Sequence, residues 1–445
     1  MTGLPTAHRG QITPATTQRR TGQRASRWRA HGQHRRPPER RASYREVLAV
    51  GEFRWLAAAQ VLSFLGDQFA QVAIAILVYG RTGSPLLTAV TYALTYLPPI
   101  AGGPLLSGLA DLFPRRRVMI ACDLIRIVTV GLMTIRGVPL PALCALLFCT
   151  VLLGAPFSSA RSALIPDILK EDQLGIGATI GNFAHQASQI IGFVAGAVVV
   201  AAVGEHMTLG VDAGTFGISA LVTLMAVRRR PAAERAPGSR PSIWAVSTDG
   251  ARTVFGHKEL RTLLLFGWLA GFYVVPEGLA APYARGLGGD TVIVGVLMAA
   301  VPLGTVLGGA LVGRFMTQSA QLRCMGWLAM TSCAPLIMNA WNPPLWAVLS
   351  LWLVAGAGGS FQLIAIPAFT KGLAPQKRAR AFGVAQSGLY AVQGIGILAG
   401  GAMAVVVGAP VAVGMAGLTG LGAAAVLATS WTRVRRRGAT SGVGR

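Results

Sequence analysis

Ionisable residues are rare inside the long apolar stretches of this chain. A charge held at depth in such a stretch is costly, and it marks a place where protons, ions or polar ligands are handled. Asp67 lies 13 residues past Arg54, which is about 20 Å along a helix rising 1.5 Å per residue. Gln60, Gln68 and Gln71 share its stretch. A carboxyl at that depth is suited to taking up a proton or a cation. Glu277 lies 16 residues past Arg261, about 24 Å along its own stretch. Pro276 and Gly278 flank it and Tyr273 stands one turn earlier, the pattern of a broken helix that exposes backbone groups to a cavity. His185, near mid-depth with Asn182, Gln186 and Gln189 around it, reads either as a proton relay or as a packed histidine. Asp123 and Arg126 are three apart, on one helix face, and are expected to form a structural ion pair. Asp212 is expected to cap a helix start. Tyr92, Tyr96, Phe183, Gln362, Gln386, Tyr390 and Gln393 complete a set that could line a pocket for a bulky, partly apolar organic molecule.

The elements that must hold these residues follow from composition. Of 445 residues, 53% are hydrophobic and 13% charged, where soluble domains carry about 25% charge. Mean hydropathy is +0.54. These values exclude a soluble globular enzyme. Continuous rather than alternating apolar runs exclude a β-barrel. Twelve runs reach the length of a membrane-spanning helix: 54–79, 86–110, 118–136, 141–163, 175–203, 210–227, 261–284, 291–313, 323–340, 345–368, 381–407 and 411–430. They are called spans 1 to 12 below. Of the 40 Lys and Arg residues, 36 fall on one side of this arrangement. Arg81, Arg136 and Arg285 fall on the other, and Arg126 lies within span 3. The positive-inside rule then places both termini in the cytoplasm of a multi-pass protein of the cell membrane.

Residues 1–49 read as a disordered basic cytoplasmic leader, because they lack the apolar core of a signal peptide. Residues 228–260 read as a cytoplasmic linker opened by Pro231, Pro237, Gly238 and Pro241, with an amphipathic stretch from Ile243 to Leu260 suited to the membrane surface. Residues 431–445 read as a basic cytoplasmic tail. The linker leaves six spans on either side, in segments 50–227 and 261–430. Gln189, Gly192 and Gly196 of span 5 recur as Gln393, Gly396 and Gly400 of span 11, and Gly154–Pro166 is echoed by Gly356–Pro367. Such a repeat belongs to secondary transporters, whose site lies between the halves. Glycines four apart let helix backbones approach, so spans 5 and 11 are expected to pack tightly.

The run from Ser107 to Ile120, SGLADLFPRRRVMI, resembles the signature loop of the major facilitator superfamily. Gly108, Leu109, Ala110, Asp111, Arg115, Arg116 and Arg117 match it, while Leu112 and Pro114 depart from it. Diffuse matches at Leu65–Gln68, Arg81–Pro85, Cys122–Arg126, Ile165–Leu169 and Val211–Leu221 are similar to the drug:proton antiporter group of macrolide-efflux and enterobactin-exporter proteins. The resemblance implies an all-α fold of twelve transmembrane helices in two pseudo-symmetric six-helix halves. Gly108, Asp111, Arg115, Arg116 and Arg117 would then form a gating loop that latches the halves in one state.

The expected function is proton-coupled export of amphipathic organic compounds by alternating access, and the alternative is proton-coupled import of a small nutrient or siderophore. Asp67 and Glu277, in equivalent spans, are expected to face one cavity. Proton coupling or cavity lining is assigned to Asp67, Glu277, His185, Tyr92, Tyr96, Gln189 and Gln393. Expected partners are a small-molecule substrate, protons and the lipid bilayer, with a monomeric chain and no nucleic acid. No cofactor or metal is expected. Cys122, Cys144, Cys149, Cys324 and Cys333 lack metal or redox spacing, the histidines lack catalytic spacing, and no phosphate-binding G-x-x-x-x-G-K-[ST] loop occurs.

Overall fold

The computed structural model describes residues 43–106, 112–230 and 243–441. The expected leader up to residue 42, Gly108 and Asp111 of the signature loop, and residues 231–242 of the linker lie outside the described residues. Every regular element among the described residues is helical. In chain order these are α1 Tyr44–Ala49, α2 Gly51–Thr82, α3 Pro85–Ala93, α4 Pro98–Leu106, α5 Arg115–Met133, α6 Leu140–Leu152, α7 Gly154–Ile168, α8 Leu174–Val203 and α9 Glu205–Ala226. There follow α10 Ile243–Gly256, α11 Lys258–Trp268, α12 Ala270–Tyr273, α13 Val275–Gly278, α14 Ala280–Gly286, α15 Thr291–Phe315, α16 Gln318–Ile337, α17 Leu345–Gly359, α18 Phe361–Lys371, α19 Pro375–Val407 and α20 Ala409–Ser441.

Among the described residues, eight helical runs are long and apolar enough to cross a membrane, or nine with the bent run through α11–α14. Spans 2, 3 and 9 fall short of that measure. Span 2 is broken after Ala93, and its expected end, 107–110, lies outside the described residues. Span 3 opens on three arginines and carries Asp123 and Arg126. Large apolar side chains such as Phe183, Met225, Trp327 and Val406 are exposed on the outside of the bundle, a surface that suits lipid and not water.

The close packing repeats along the chain. In span 5, Gly192 and Gly196 rest on Gln68 and Phe69 of span 1. In span 11, Gly396 and Gly400 rest on Gly271 and Val275 of span 7. Spans 5 and 11 therefore pack tightly against the first span of their own segment. Across the two segments, α8 packs on α15, where Gly295 meets the Phe193 carbonyl and Ala197. Likewise α3 packs on α19, where Gly401 meets Ala89.

Some boundaries differ from the sequence reading. Ser43 and Glu46 form a capping box that starts α1 within the expected leader, and Val47 is buried with Phe53 and Leu169. The last helix runs past residue 431 into the expected tail. The linker's amphipathic stretch docks as α10 on α19 through Gly250 and the buried Val254.

Candidate functional site

The side from which α2 starts is called the near side. Arginines tie helix ends together there. Arg115 pairs with Asp167 and donates to the Ala163 carbonyl at 2.7 Å. Arg116 donates to the Thr223 and Leu224 carbonyls, cations on the free carbonyls that end α9. Arg230 grips Glu52 through two bonds, of 2.5 and 2.9 Å. All these contacts stay within residues 43–230. Among the described residues Arg115 and Arg116 make no contact between the halves, Arg117 is exposed, and Asp111, the acid of the expected latch, lies outside the described residues.

Between the two segments lies a cavity of about 600 Å³. Its walls include Asp67, Tyr92, Arg126, Arg161, His185, Asp212, Gln386 and Tyr390. The lining residues Ser158, Ser162, His185, Gly383 and Gln386 are exposed, whereas Tyr92, Val130 and Met133 are buried. The cavity is therefore open toward the near side and closed beyond it.

The closure is aromatic. Tyr92 and Tyr96 approach at 6.0 Å between ring centroids, and Tyr96 meets Tyr390 of α19 at 6.4 Å. Behind them the Tyr92 hydroxyl donates to Glu277 Oε2 at 3.0 Å, bridging span 2 and span 7. Glu277 is 5% exposed, in the expected broken helix, but it is not on the cavity wall. The expectation that it shares a cavity with Asp67 is corrected: Tyr92 stands between Glu277 and the open space.

On the cavity wall, Asp67 has a carboxylate companion that the sequence reading missed. Asp212 lies two turns inside α9, which starts at Glu205 after Gly204, and not at a helix start. It is 1% exposed, and its Oδ1 accepts from Thr215 at 3.3 Å. A Cβ at position 66 would collide with Asp212 and Thr215, so Gly66 is what allows this carboxyl to sit against span 1 beside Asp67. Gly204, with a positive φ of 81°, was the signal that could have set the helix start at Glu205, seven residues before Asp212.

Arg126 is the cation acting on Asp67, Asp123 and Asp212 together. It donates to the Thr150 carbonyl at 3.2 Å and lies over Phe157 and Phe216, 5.5 and 5.1 Å from the ring centroids. The Asp123–Arg126 ion pair expected from their spacing does not form. The guanidinium turns to α6 and the two rings, and both Asp123 oxygens, fully buried, make no hydrogen bond. On the neighbouring α9, the buried Ser219 hydroxyl lies beside Asp123 without reaching good hydrogen-bond geometry, and the Thr223 hydroxyl makes no hydrogen bond.

Arg161, counted by sequence among the cations of the cytoplasmic side at the end of span 4, lies inside α7 and lines the cavity, where its Nη1 donates to Gln60 Oε1. His185 is open to the same cavity, with its ring in edge contact with Phe64 at 4.7 Å. Gln189, Gln393 and Tyr96 lie off the cavity wall, and Phe183 faces outward. Gln362 instead bonds the Tyr273 hydroxyl at 2.5 Å.

A family model described as the Major Facilitator Superfamily matches residues 56–334. Macrolide efflux protein A of Streptococcus pyogenes is 24% identical over 270 residues, 59% of this chain and 66% of that protein, so the match spans just under two thirds of the relative's length. Multidrug efflux pump Tap of Mycobacterium tuberculosis (strain ATCC 25618 / H37Rv) is 26% identical over 369 residues, 77% of this chain and 84% of that protein. Among solved structures, the nucleoside transporter NupG superposes with a TM-score of 0.63 at 16% identity, covering 86% of this chain and 98% of that one. A bacterial homologue of the human lysosomal transporter Spinster, inward-facing and unoccupied, gives 0.60 at 15% identity, with 85% and 93% covered. At those identities the structural likeness is one of fold alone. The family match extends over more than half of the residues and agrees with an all-helical bundle closed around a central cavity: the chain belongs to the Major Facilitator Superfamily.

Proposed function

We propose that the chain is a secondary transporter, not an enzyme, that exports amphipathic organic compounds in exchange for protons. The observation that carries this reading is the cavity between the two segments, with Asp67 and Asp212 side by side on its wall and Arg126 as their shared cation. The efflux names of the two relatives support the outward direction. In this reading the near side is cytoplasmic, both termini lie there, and twelve spans form halves 50–227 and 261–430 that rock about the cavity.

Two carboxyls placed side by side near one guanidinium form a coupled site suited to exchanging a proton. Protonation from the outside changes its charge and favours one state. Substrate must bind the two states unequally for the steps to couple. Glu277 acts differently, holding the outer closure through Tyr92.

Inside-out membrane vesicles with an imposed proton gradient test this reading, with labelled macrolides, dyes and siderophores as the panel. Gradient-driven uptake that disappears in Asp67→Asn is the expected result. Accumulation in right-side-out vesicles alone would replace export by import, and uptake unchanged in Asp67→Asn would remove these carboxyls from the mechanism.

A further inference from the structure

We propose that Arg161, with Gln60 and His185 beside it, is a receptor for an anionic group of the transported compound, so that the preferred cargo is an amphipathic aromatic acid. This rests on the cavity being the transport site. The two cavity-facing guanidiniums differ in their surroundings. Arg126 stands near enough to Asp67, Asp123 and Asp212 to act on all three electrostatically, although none of their oxygens lies within 4 Å of it. Arg161 is half-buried and faces the same cavity; among the described residues it too has no carboxylate oxygen within 4 Å, and no acid acts on it at longer range. Its hydrogen bond goes to the neutral Gln60.

A guanidinium carries five N–H donors in a planar fork that matches a carboxylate. Partly stripped of water and lacking an internal anion, it gains most from an anion delivered by a ligand. The surroundings reinforce this. His185 is close enough for Arg161 to act on it electrostatically, which makes the patch one of positive potential. Ser158 and Ser162 add hydroxyl donors on the same helix, and Phe64, packed against His185, offers an apolar face beside the charge. Across the cavity, Gln386, Ser387 and Tyr390 are neutral.

The test uses the purified chain in detergent and two planar three-ring probes of equal size, anthracene-9-carboxylate and anthracen-9-ylmethylammonium, with affinities read by fluorescence titration. The wild-type chain is expected to bind the carboxylate at least about tenfold more tightly, the scale of one charge-assisted hydrogen bond. Arg161→Gln should bring the two probes within about twofold of each other, and Arg161→Lys should keep part of the preference. Preference for the ammonium, equal binding by the wild type, or a carboxylate preference that survives in Arg161→Gln would each overturn the proposal. Should Arg161→Gln fail to fold, the wild-type ratio and Arg161→Lys decide. Carboxylate binding without gradient-driven uptake in vesicles would leave the receptor standing and remove the transport reading. Uptake of cationic dyes without carboxylate preference would do the reverse.

Discussion

Residues 51–230 and 258–435 pack by one scheme and differ in what they give the cavity. Each folds a glycine-bearing fifth span onto its first: Gly192 and Gly196 against Gln68 and Phe69 in one, Gly396 and Gly400 against Gly271 and Val275 in the other. The first segment then supplies Asp67, Arg126, Arg161, His185 and Asp212, while the second supplies Gly383, Gln386, Ser387 and Tyr390. Close backbone approach is a steric demand that both segments meet in the same way. Chemistry carries no such demand, and each charge in an apolar layer costs free energy unless others compensate it. The charges are therefore gathered on one side, where Arg126 acts on three acids, and they are not duplicated by the repeat. Glu277 is the exception, and it is covered by Tyr92 from the opposite segment.

If this asymmetry has functional meaning, equivalent acids are not equivalent in effect. Asp67→Asn and Asp212→Asn are expected to bring gradient-driven vesicle transport to background. Glu277→Gln, which still offers Tyr92 an acceptor, should stay within about fivefold of wild type. Background transport in Glu277→Gln as well would break the comparison. Arg126→Leu removes the hydrogen bond to the Thr150 carbonyl and the contacts with two rings, and should cost about 1–3 kcal/mol, read as chemical unfolding in detergent. Arg285→Leu, at an exposed position beyond the outer closure, should stay within about 0.5 kcal/mol. The glycine contacts sharpen the point. Gly66→Ala and Gly396→Ala should each destabilise by about 1–3 kcal/mol, the first through Asp212 and Thr215, the second through the Gly271 carbonyl. Only Gly66→Ala should also lose coupling, because only there does the new methyl displace a carboxyl; equal loss of transport in both would reduce the effect to packing.

The all-helical membrane fold was legible because its signal is additive over whole spans. Long apolar runs, short polar separators and arginine placement each point the same way, and the glycine repeat marks the closest contacts. The site was legible only in part. Asp67 was found from depth along a helix, which needs no partner. Asp212 was missed because its helix begins at Glu205, before the apolar run does, so a residue two turns inside looked like a cap. Arg161 was missed because charge near an apolar boundary reads as loop, whereas α7 continues to Ile168. The Asp123–Arg126 pair failed for a different reason. Spacing of three places two side chains on one face, but Arg126 has a carbonyl and two rings within reach on other helices, and these decide where it points.

The smallest effect separates the contact between the two segments from the contacts within one. Tyr92 and Tyr283 are both buried tyrosines whose hydroxyls donate to a side-chain oxygen, to Glu277 at 3.0 Å and to Asn339 at 2.9 Å. The first bond joins span 2 to span 7 and, if the halves rock as proposed, is expected to break when the outer side opens. The second lies within residues 258–435 and should persist in every state. Replacing either tyrosine by phenylalanine removes about 1 kcal/mol. In Tyr283→Phe that loss falls equally on open and closed forms, so it lowers stability and leaves their ratio alone. In Tyr92→Phe it falls on the closed form only, and about 1 kcal/mol changes the ratio about fivefold. Spin labels at Thr82 and Arg285, both exposed at the outer ends of their helices, would read this as a larger long-distance population in Tyr92→Phe and an unchanged one in Tyr283→Phe. A distribution that moves equally in both variants would mean that the Tyr92–Glu277 bond is an ordinary packing contact and that the outer closure is held elsewhere.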